Sequence, residues 1–251
     1  MKHTKKLIEI IEIAGQEIIK SFRNKSKETK LGNKLITTDA NFNSEKIILS
    51  KLKKEFPGHY FSIDSKENLA KINNKSVWVI DSLDGTGNFS RGIPLFGASI
   101  CLLENKVPVL GLISIPALQI TLIAEKGKGT KIRGHEIKVS NIDLLKNSFI
   151  YLPTAWKEYK KIFSLMGKIC PPTQMTRQID STAFSLAQVA LGEAEALIHY
   201  ESVPNDLLAG VLLVREAGGK VTDWEGKEWN FESKNIIASN EKIHKKIIEI
   251  I

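Results

Sequence analysis

The sequence predicts a layered α/β sandwich. Three observations carry that expectation. Two amphipathic helical stretches open the chain, short apolar strand-like segments fill residues 60 to 140, and strands and helices alternate from residue 148 onward. The expected organisation is a single domain over 1–251, with an N-terminal α+β half to about 145 and a C-terminal α/β half from about 146. No internal repeat or low-complexity segment interrupts it.

Leu7, Ile10, Ile11, Ala14, Ile18 and Phe22 recur at helical spacing, with charges on the other face, so residues 7–22 read as the first helix. Residues 25–39 read as a polar connection containing Gly32. Residues 41–55 read as a second helix, with Phe42, Ile47, Ile48, Leu49 and Leu52 inward and Phe56-Pro57-Gly58 ending it. Strands are expected at 60–64, 77–81, 96–104, 107–116 and 119–127, punctuated by Pro108, Gly111 and Pro116. Residues 127–140 read as a hairpin turning at Arg133-Gly134. The second half reads as strand 148–152, helices 156–167 and 181–191, strand 194–200, helix 206–217, strands 220–224 and 235–240, and helix 241–250.

Composition narrows the function classes. Hydrophobic residues make up 42% and charged residues 25%, the balance of a soluble globular protein. No apolar run approaches the roughly 20 residues that span a bilayer. The opening MKHTKKLIEIIEIAGQEIIKSF is basic and then apolar, but Glu9, Glu12 and Glu17 break the run and argue against a signal peptide. Cys101 and Cys170 fit neither a disulfide framework nor a zinc site, so a reducing cytoplasm is the expected setting. The net charge of +8 suits an anionic partner, whether a phosphate ester, a nucleic acid or a membrane surface. No basic run is interleaved with aromatics as single-strand nucleic-acid binders require, and the dispersed lysines also read as a solvated surface.

The chemistry concentrates in WVIDSLDGTGNF, residues 78–89. An apolar strand runs out into Asp81 and Asp84, followed by Gly85, Thr86 and Gly87. Two carboxylates and a backbone carbonyl from such a turn supply the hard oxygen donors that Mg²⁺ selects. Glycine lets successive N–H groups approach phosphate oxygens, and a helix starting near Thr86 or Asn88 would add its dipole. The same letters also suit a simple capped turn, or a nucleophilic aspartate, although the usual D-x-D spacing of the latter is missing. A second acid, Asp206 in PNDLLAGVLLVREAGG, opens an apolar helix that Gly218-Gly219 closes. It reads either as a cap or as a third carboxylate delivered from a separate element.

On these residues the chain resembles the inositol monophosphatase family. WVIDSLDGTGNFSRGIP resembles the family signature W-V-I-D-P-[LI]-D-G-T-x-N-F followed by G-[FI]-P, with Ser82 where proline is usual. NDLLAGVLLVREAGG resembles the second signature, W-D-x-A-A-G-x-L-L-x-x-E-A-G-G, with Asn205 for tryptophan and Leu208 for alanine. EKGKGTKIRGHEIKVS and the C-terminal NIIASNEKIHKKIIEII also resemble family segments, so the likeness covers almost the whole chain in order.

The resemblance implies an α-β-α-β-α sandwich, a homodimer, and hydrolysis of phosphate monoesters by a metal-bound water with two or three Mg²⁺ ions. It implies metal ligands at Asp64, Asp81, the Leu83 carbonyl, Asp84 and Asp206. It implies a phosphate seat at Gly85 and Thr86, with Thr86 orienting the water and Asp39 accepting the threonine proton. Asp39 also reads as a helix cap. Asp64 stands in FPGHYFSIDSKEN where the family carries glutamate, one methylene longer, with Ser65 at the next family glutamate and Glu67 as a weaker substitute. Ser181, Thr182, Glu201 and His199 are the candidate substrate contacts, with Asp180 where the family has glycine. The implied partner is a small phosphate ester, with neither membrane nor nucleic acid. Inositol monophosphate leads, with histidinol phosphate, fructose 1,6-bisphosphate and 3′-phosphoadenosine 5′-phosphate as rivals. A catalytically degenerate protein that binds through its basic surface is the alternative of another class, and Asp64, Ser82 and Asn205 support it.

Overall fold

Helices α1 (Lys2–Ser21) and α2 (Asp39–Glu55) flank a short antiparallel pair, β1 (Glu28–Leu31) and β2 (Leu35–Thr38). The structure, a computed structural model, describes residues 2–22, 28–31, 35–63, 76–152, 159–200 and 203–251. The chain continues through β3 (Tyr60–Ser62), β4 (Ser76–Asp84), the five-residue α3 (Thr86–Ser90), β5 (Gly97–Glu104), β6 (Val107–Ile115), β7 (Ile120–Glu125), β8 (Thr130–Ile132) and β9 (His135–Ile137). These strands form one seven-stranded sheet in chain order, with β3 and β4 parallel and every other pair antiparallel. The second half runs β10 (Phe149–Leu152), α4 (Tyr159–Ile169), β11 (Met175–Gln178), α5 (Thr182–Ala190), β12 (Ala196–His199), α6 (Pro204–Glu216), β13 (Gly219–Thr222), β14 (Ile236–Asn240) and α7 (Glu241–Ile250). Its sheet has the order β11-β10-β12-β14-β13.

Side-chain alternation assigns the layers. In β4, Trp78 and Ile80 point into a core shared with Leu7, Ile11, Ala14 and Ile18 of α1 and Ile48 and Leu52 of α2. Val77 and Val79 point the other way, into a core built on α5 and α6. That second core also takes Tyr151, Leu197, Val221 and Ala238 from the five-stranded sheet, so α5 and α6 lie between the sheets. The outer face of the second sheet packs Ile150, Ile198 and Ile237 against Leu165 and Ile169 of α4 and Ile243 and Ile247 of α7. The layers therefore run α-β-α-β-α. Each such side chain taken fully out of water contributes roughly 1.5–3 kcal/mol. A central helix pair touching two sheets must be apolar almost all round, and α6 is buried from Leu207 through Val214.

Close approaches lock α6 in place. A Cβ on Gly111 of β6 would lie 3.0 Å from the Ala209 carbonyl oxygen, and one on Gly210 would collide with Leu186 of α5, 2.6 Å from its Cβ. At the far end of α6, the Glu216 carboxylate accepts the N–H groups of Gly127 and Gly129 at 2.9 and 3.0 Å. Thr130 Oγ1 donates to the Leu213 carbonyl at 2.6 Å. The apolar helix is thus tied by polar groups to the β7–β8 turn.

Several expectations need correction. Phe42 faces water, 57% exposed, because Ala40, Ser44, Ile48 and Leu52 form the buried stripe of α2. The connection 25–39 holds β1 and β2, whose strands are only four residues each. Edge strand β11 goes beyond the elements expected from the sequence, since its letters MTRQ carry little apolar signal. Hairpin β8–β9 does turn at Arg133-Gly134, where both residues take positive φ. Both cysteines are free thiols.

His244, buried on α7, has Nδ1 2.7 Å from Ser239 Oγ and Nε2 2.9 Å from Thr222 Oγ1. Burial, with a smaller push from Lys220, lowers its pKa from 6.5 to about 4. Between those values the unfolded chain binds the proton that the folded chain refuses. Stability should therefore be complete above pH 6.5 and fall as pH drops toward 4, by up to about 3 kcal/mol from this group. Urea midpoints across that range should show the slope, and His244→Asn should flatten it. An equal slope in the variant would refute the assignment.

Candidate active site

The site starts from an irregularity in β4. Ser76 to Asp81 pair with Glu104 to Ser99 in steady register, but Asp84 pairs with Gly97, so β4 carries one extra residue between its two aspartates. In a regular strand, residues three apart face opposite sides, and one bulged residue restores them to the same side. The contacts agree. Val77 and Val79 share Asp81's parity and face α5 and α6, and Asp84 reaches the start of α5. Leu83 turns into the α1–α2 core instead. Asp81 Oδ1 accepts the Leu83 N–H at 3.1 Å and so closes the turn from within.

Gly85 comes next with φ +79°, the left-handed region. A Cβ there would meet the Leu95 carbonyl oxygen at 2.9 Å and Ser181 Cβ at 3.0 Å, so only glycine fits. Thr86 opens α3, and its Oγ1 donates to the Leu83 carbonyl at 2.9 Å. Asn41 Nδ2 lies 3.4 Å from the same hydroxyl. The Asn41 Oδ1 meanwhile accepts from Thr38 N and Oγ1, both at 2.9 Å, as the reciprocal cap of α2. The Thr86 hydroxyl is therefore oriented by Leu83 and Asn41, not by Asp39. Among the described residues no side-chain hydrogen bond joins Asp39 to Thr86, and Asp39 is exposed at the head of α2. Sequence reasoning missed Asn41, although the T-x-x-N cap spacing was there to read.

Asp84 Oδ2 accepts from Ser181 Oγ at 2.5 Å and from Ala183 N at 2.7 Å. Burial, the largest influence, raises its pKa to about 6 despite these donors, and Asp180 adds to the rise. Among the described residues no lysine or arginine pairs with it. Ser181 is 3% exposed, and its hydroxyl is committed to Asp84 and the Phe184 N–H, so it does not present itself to a substrate. Thr182, the first residue of α5, is partly exposed. Asp180 places Oδ2 within 2.8 Å of where a Cβ on Gly87 would stand, beside the glycine-rich turn. Asn88 Nδ2 ties that turn to the Leu95 carbonyl at 2.8 Å and to the Asp180 carbonyl at 3.4 Å.

Asp206 lies in the first turn of α6, where a helix dipole favours an acid. Just before it, Asn205 Nδ2 donates to the Ile63 carbonyl at 2.5 Å and to the Ile80 carbonyl at 3.3 Å. Ser82, in place of the family proline, donates Oγ to the Asn41 carbonyl at 3.1 Å, while its own carbonyl accepts from Ser44 Oγ at 2.9 Å. His199 ends β12, paired with Ile236. Asp64, Ser65, Glu67 and Glu201 lie outside the described residues.

The donor set of Asp81, Asp84, Asp206 and the Leu83 carbonyl is all hard oxygen, and a desolvated carboxylate that has no cationic partner among the described residues suits a divalent cation. The described carboxylates by themselves do not close a site. Among the described residues no three His, Cys, Asp or Glu side chains gather tightly enough to hold an ion. Asp84 spends Oδ2 on the α5 N-terminus, and the strand that would bring Asp64 is described only as far as Ile63. No described helix is long and apolar enough to cross a membrane.

Comparison with known proteins agrees with this geometry. The model of the inositol monophosphatase family matches residues 2–251. A Thermotoga maritima protein named fructose-1,6-bisphosphatase/inositol-1-monophosphatase is 34% identical over 224 residues, covering 89% of this chain and 85% of that one. A putative Nus factor SuhB of Neisseria meningitidis is 30% identical over 95% of this chain and 93% of its own. Among solved structures, a Thermotoga maritima IMPase superposes with a TM-score of 0.90 at 29% identity, covering 100% of this chain and 96% of that one. Strands, layers, glycine-rich turn and relatives thus lead to one conclusion: the chain belongs to the inositol monophosphatase family of metal-dependent phosphoric monoester hydrolases.

Proposed function

We propose that the protein is a Mg²⁺-dependent phosphatase acting on inositol monophosphate or a similar polyol phosphate. The observation that carries this reading is the bulged end of β4, where Asp81, the Leu83 carbonyl and Asp84 adjoin the left-handed Gly85 and the oriented Thr86 hydroxyl. Asp81, Asp84, the Leu83 carbonyl and Asp206 would hold the metal, with Asp64 completing the set from the segment after β3. Two or three Mg²⁺ ions are the number this reading carries. Bound Mg²⁺ supplies Lewis acidity and a water of lowered pKa.

The chain's own residues do the rest. Gly85 and Thr86 offer backbone N–H groups to the phosphate oxygens. Thr86 Oγ1, held between Leu83 and Asn41, orients the attacking water. Ser181 fixes Asp84 rather than touching the alcohol. Thr182, His199 and Glu201 are assigned to the leaving-group side. The Asp180 carboxylate beside Gly87 supports a neutral polyol over a second phosphate, because a nearby anion would repel one. The double name of the Thermotoga relative makes fructose 1,6-bisphosphate the first rival to test. A cytoplasmic homodimer belongs to the same reading.

Phosphate release from inositol 1-phosphate, histidinol phosphate, fructose 1,6-bisphosphate and 3′-phosphoadenosine 5′-phosphate at millimolar Mg²⁺ tests the substrate. Preference for a bisphosphate would overturn the polyol assignment, and no release from any ester would overturn the enzyme. Asp81→Asn should abolish turnover while circular dichroism and Tm stay near those of the parent. Asp64→Glu restores the longer arm of the family, so the Mg²⁺ concentration for half-maximal activity should fall. An unchanged or higher requirement would show that the shorter acid is not what limits metal binding.

A further inference from the structure

Asn205 occupies the position where the family signature has tryptophan, and its side chain does something specific. The parallel β3–β4 ladder pairs Tyr60 with Val77, Phe61 with Trp78 and Ser62 with Val79. One residue further along each strand stand Ile63 and Ile80. The two carbonyls that the Asn205 amide reaches are those of these residues, at 2.5 and 3.3 Å. A primary amide has two N–H donors, matching two acceptors. Asn205 is 6% exposed, so neither carbonyl has water as a ready substitute. Asn205 is itself anchored, since Ser99 Oγ on β5 lies 3.3 Å from its carbonyl oxygen.

The placement matters because each anchored residue has an acid as its neighbour. Ile80 immediately precedes Asp81, and Asn205 immediately precedes Asp206. One amide therefore couples the backbone that aims Asp81 to the helix start that aims Asp206, and both to the end of β3. We propose that Asn205 is a positioning residue that sets the spacing of the acids on β4 and α6 and thereby the affinity for Mg²⁺. It touches neither substrate nor metal. The inference rests on the metal-site reading above and extends it to a residue that departs from the family pattern.

The test compares the parent with Asn205→Leu, close in size but without donors, and with Asn205→Ala, which keeps the question answerable should leucine not fold. Mg²⁺ binding is measured by titration calorimetry and by the rise of Tm with added Mg²⁺, beside kcat at saturating Mg²⁺. Loss of a supporting contact to metal-ligand backbone should weaken Mg²⁺ binding by roughly 10-fold or more. The Mg²⁺-induced rise in Tm should shrink to match. The kcat at saturating Mg²⁺ should fall far less. A purely structural role would lower Tm equally with and without Mg²⁺ and leave the dissociation constant unchanged, and that result overturns the proposal. If the parent itself shows no Mg²⁺-dependent heat or Tm rise, the metal site fails first and this inference falls with it.

Discussion

The structure depends on one extra residue. A strand that alternates strictly would aim Asp81 and Asp84 at opposite layers, one toward α1 and α2 and the other toward α5 and α6. The bulge between them turns both toward the middle layer and lets Leu83 fill the outer core between them. An apolar anchor is thus interposed between two polar groups. Gly85 then reverses the chain where a side chain could not fit, and Thr86 begins a short helix at once. The acids are held by sheet and core packing rather than by a free loop, which is how a site gains rigidity.

Much of this is legible in the sequence. The unbroken apolar run Trp78 to Ile80 reads as a buried strand, helical spacing marks α1, and the glycine-rich turn announces itself by its letters. The role of Ser181 is not legible. Its hydroxyl reads as a candidate substrate contact in the sequence, yet nearly a hundred residues of intervening chain fold back to bury it against Asp84. Asn41 escapes for a related reason: its link to Thr86 spans 45 positions, and local spacing reports only its capping. Phe42 misleads because a large apolar residue is expected to face inward, whereas small Ala40 and Ser44 mark the close contact with the sheet. Strand β11 is invisible because an edge strand of mixed letters draws its identity from the neighbour it pairs with.

Departures from a family pattern have structural content here. Ser82 and Asn205 could be read as signs of decay. In the fold each joins separate elements, Ser82 linking the acid-bearing turn to α2, and Asn205 linking α6 to two strand ends. Proline and tryptophan would offer different bonds at these places: proline lacks a donor, and indole has one N–H where the amide has two. The catalytic letters are surrounded by a local support set in which these substitutions are integrated.

Gly210 has a reach beyond its size. It sits one helical turn, about 5.4 Å, beyond Asp206, and lets α5 cross α6 with Leu186 in the place of the missing side chain. The heads of these two helices carry Ser181 and Asp206. A methyl group there would act as a wedge deep in the middle layer and would force α5 and α6 apart where they cross. The crossing of α5 and α6 is thus set from within the middle layer, by a residue that contributes through the side chain it lacks.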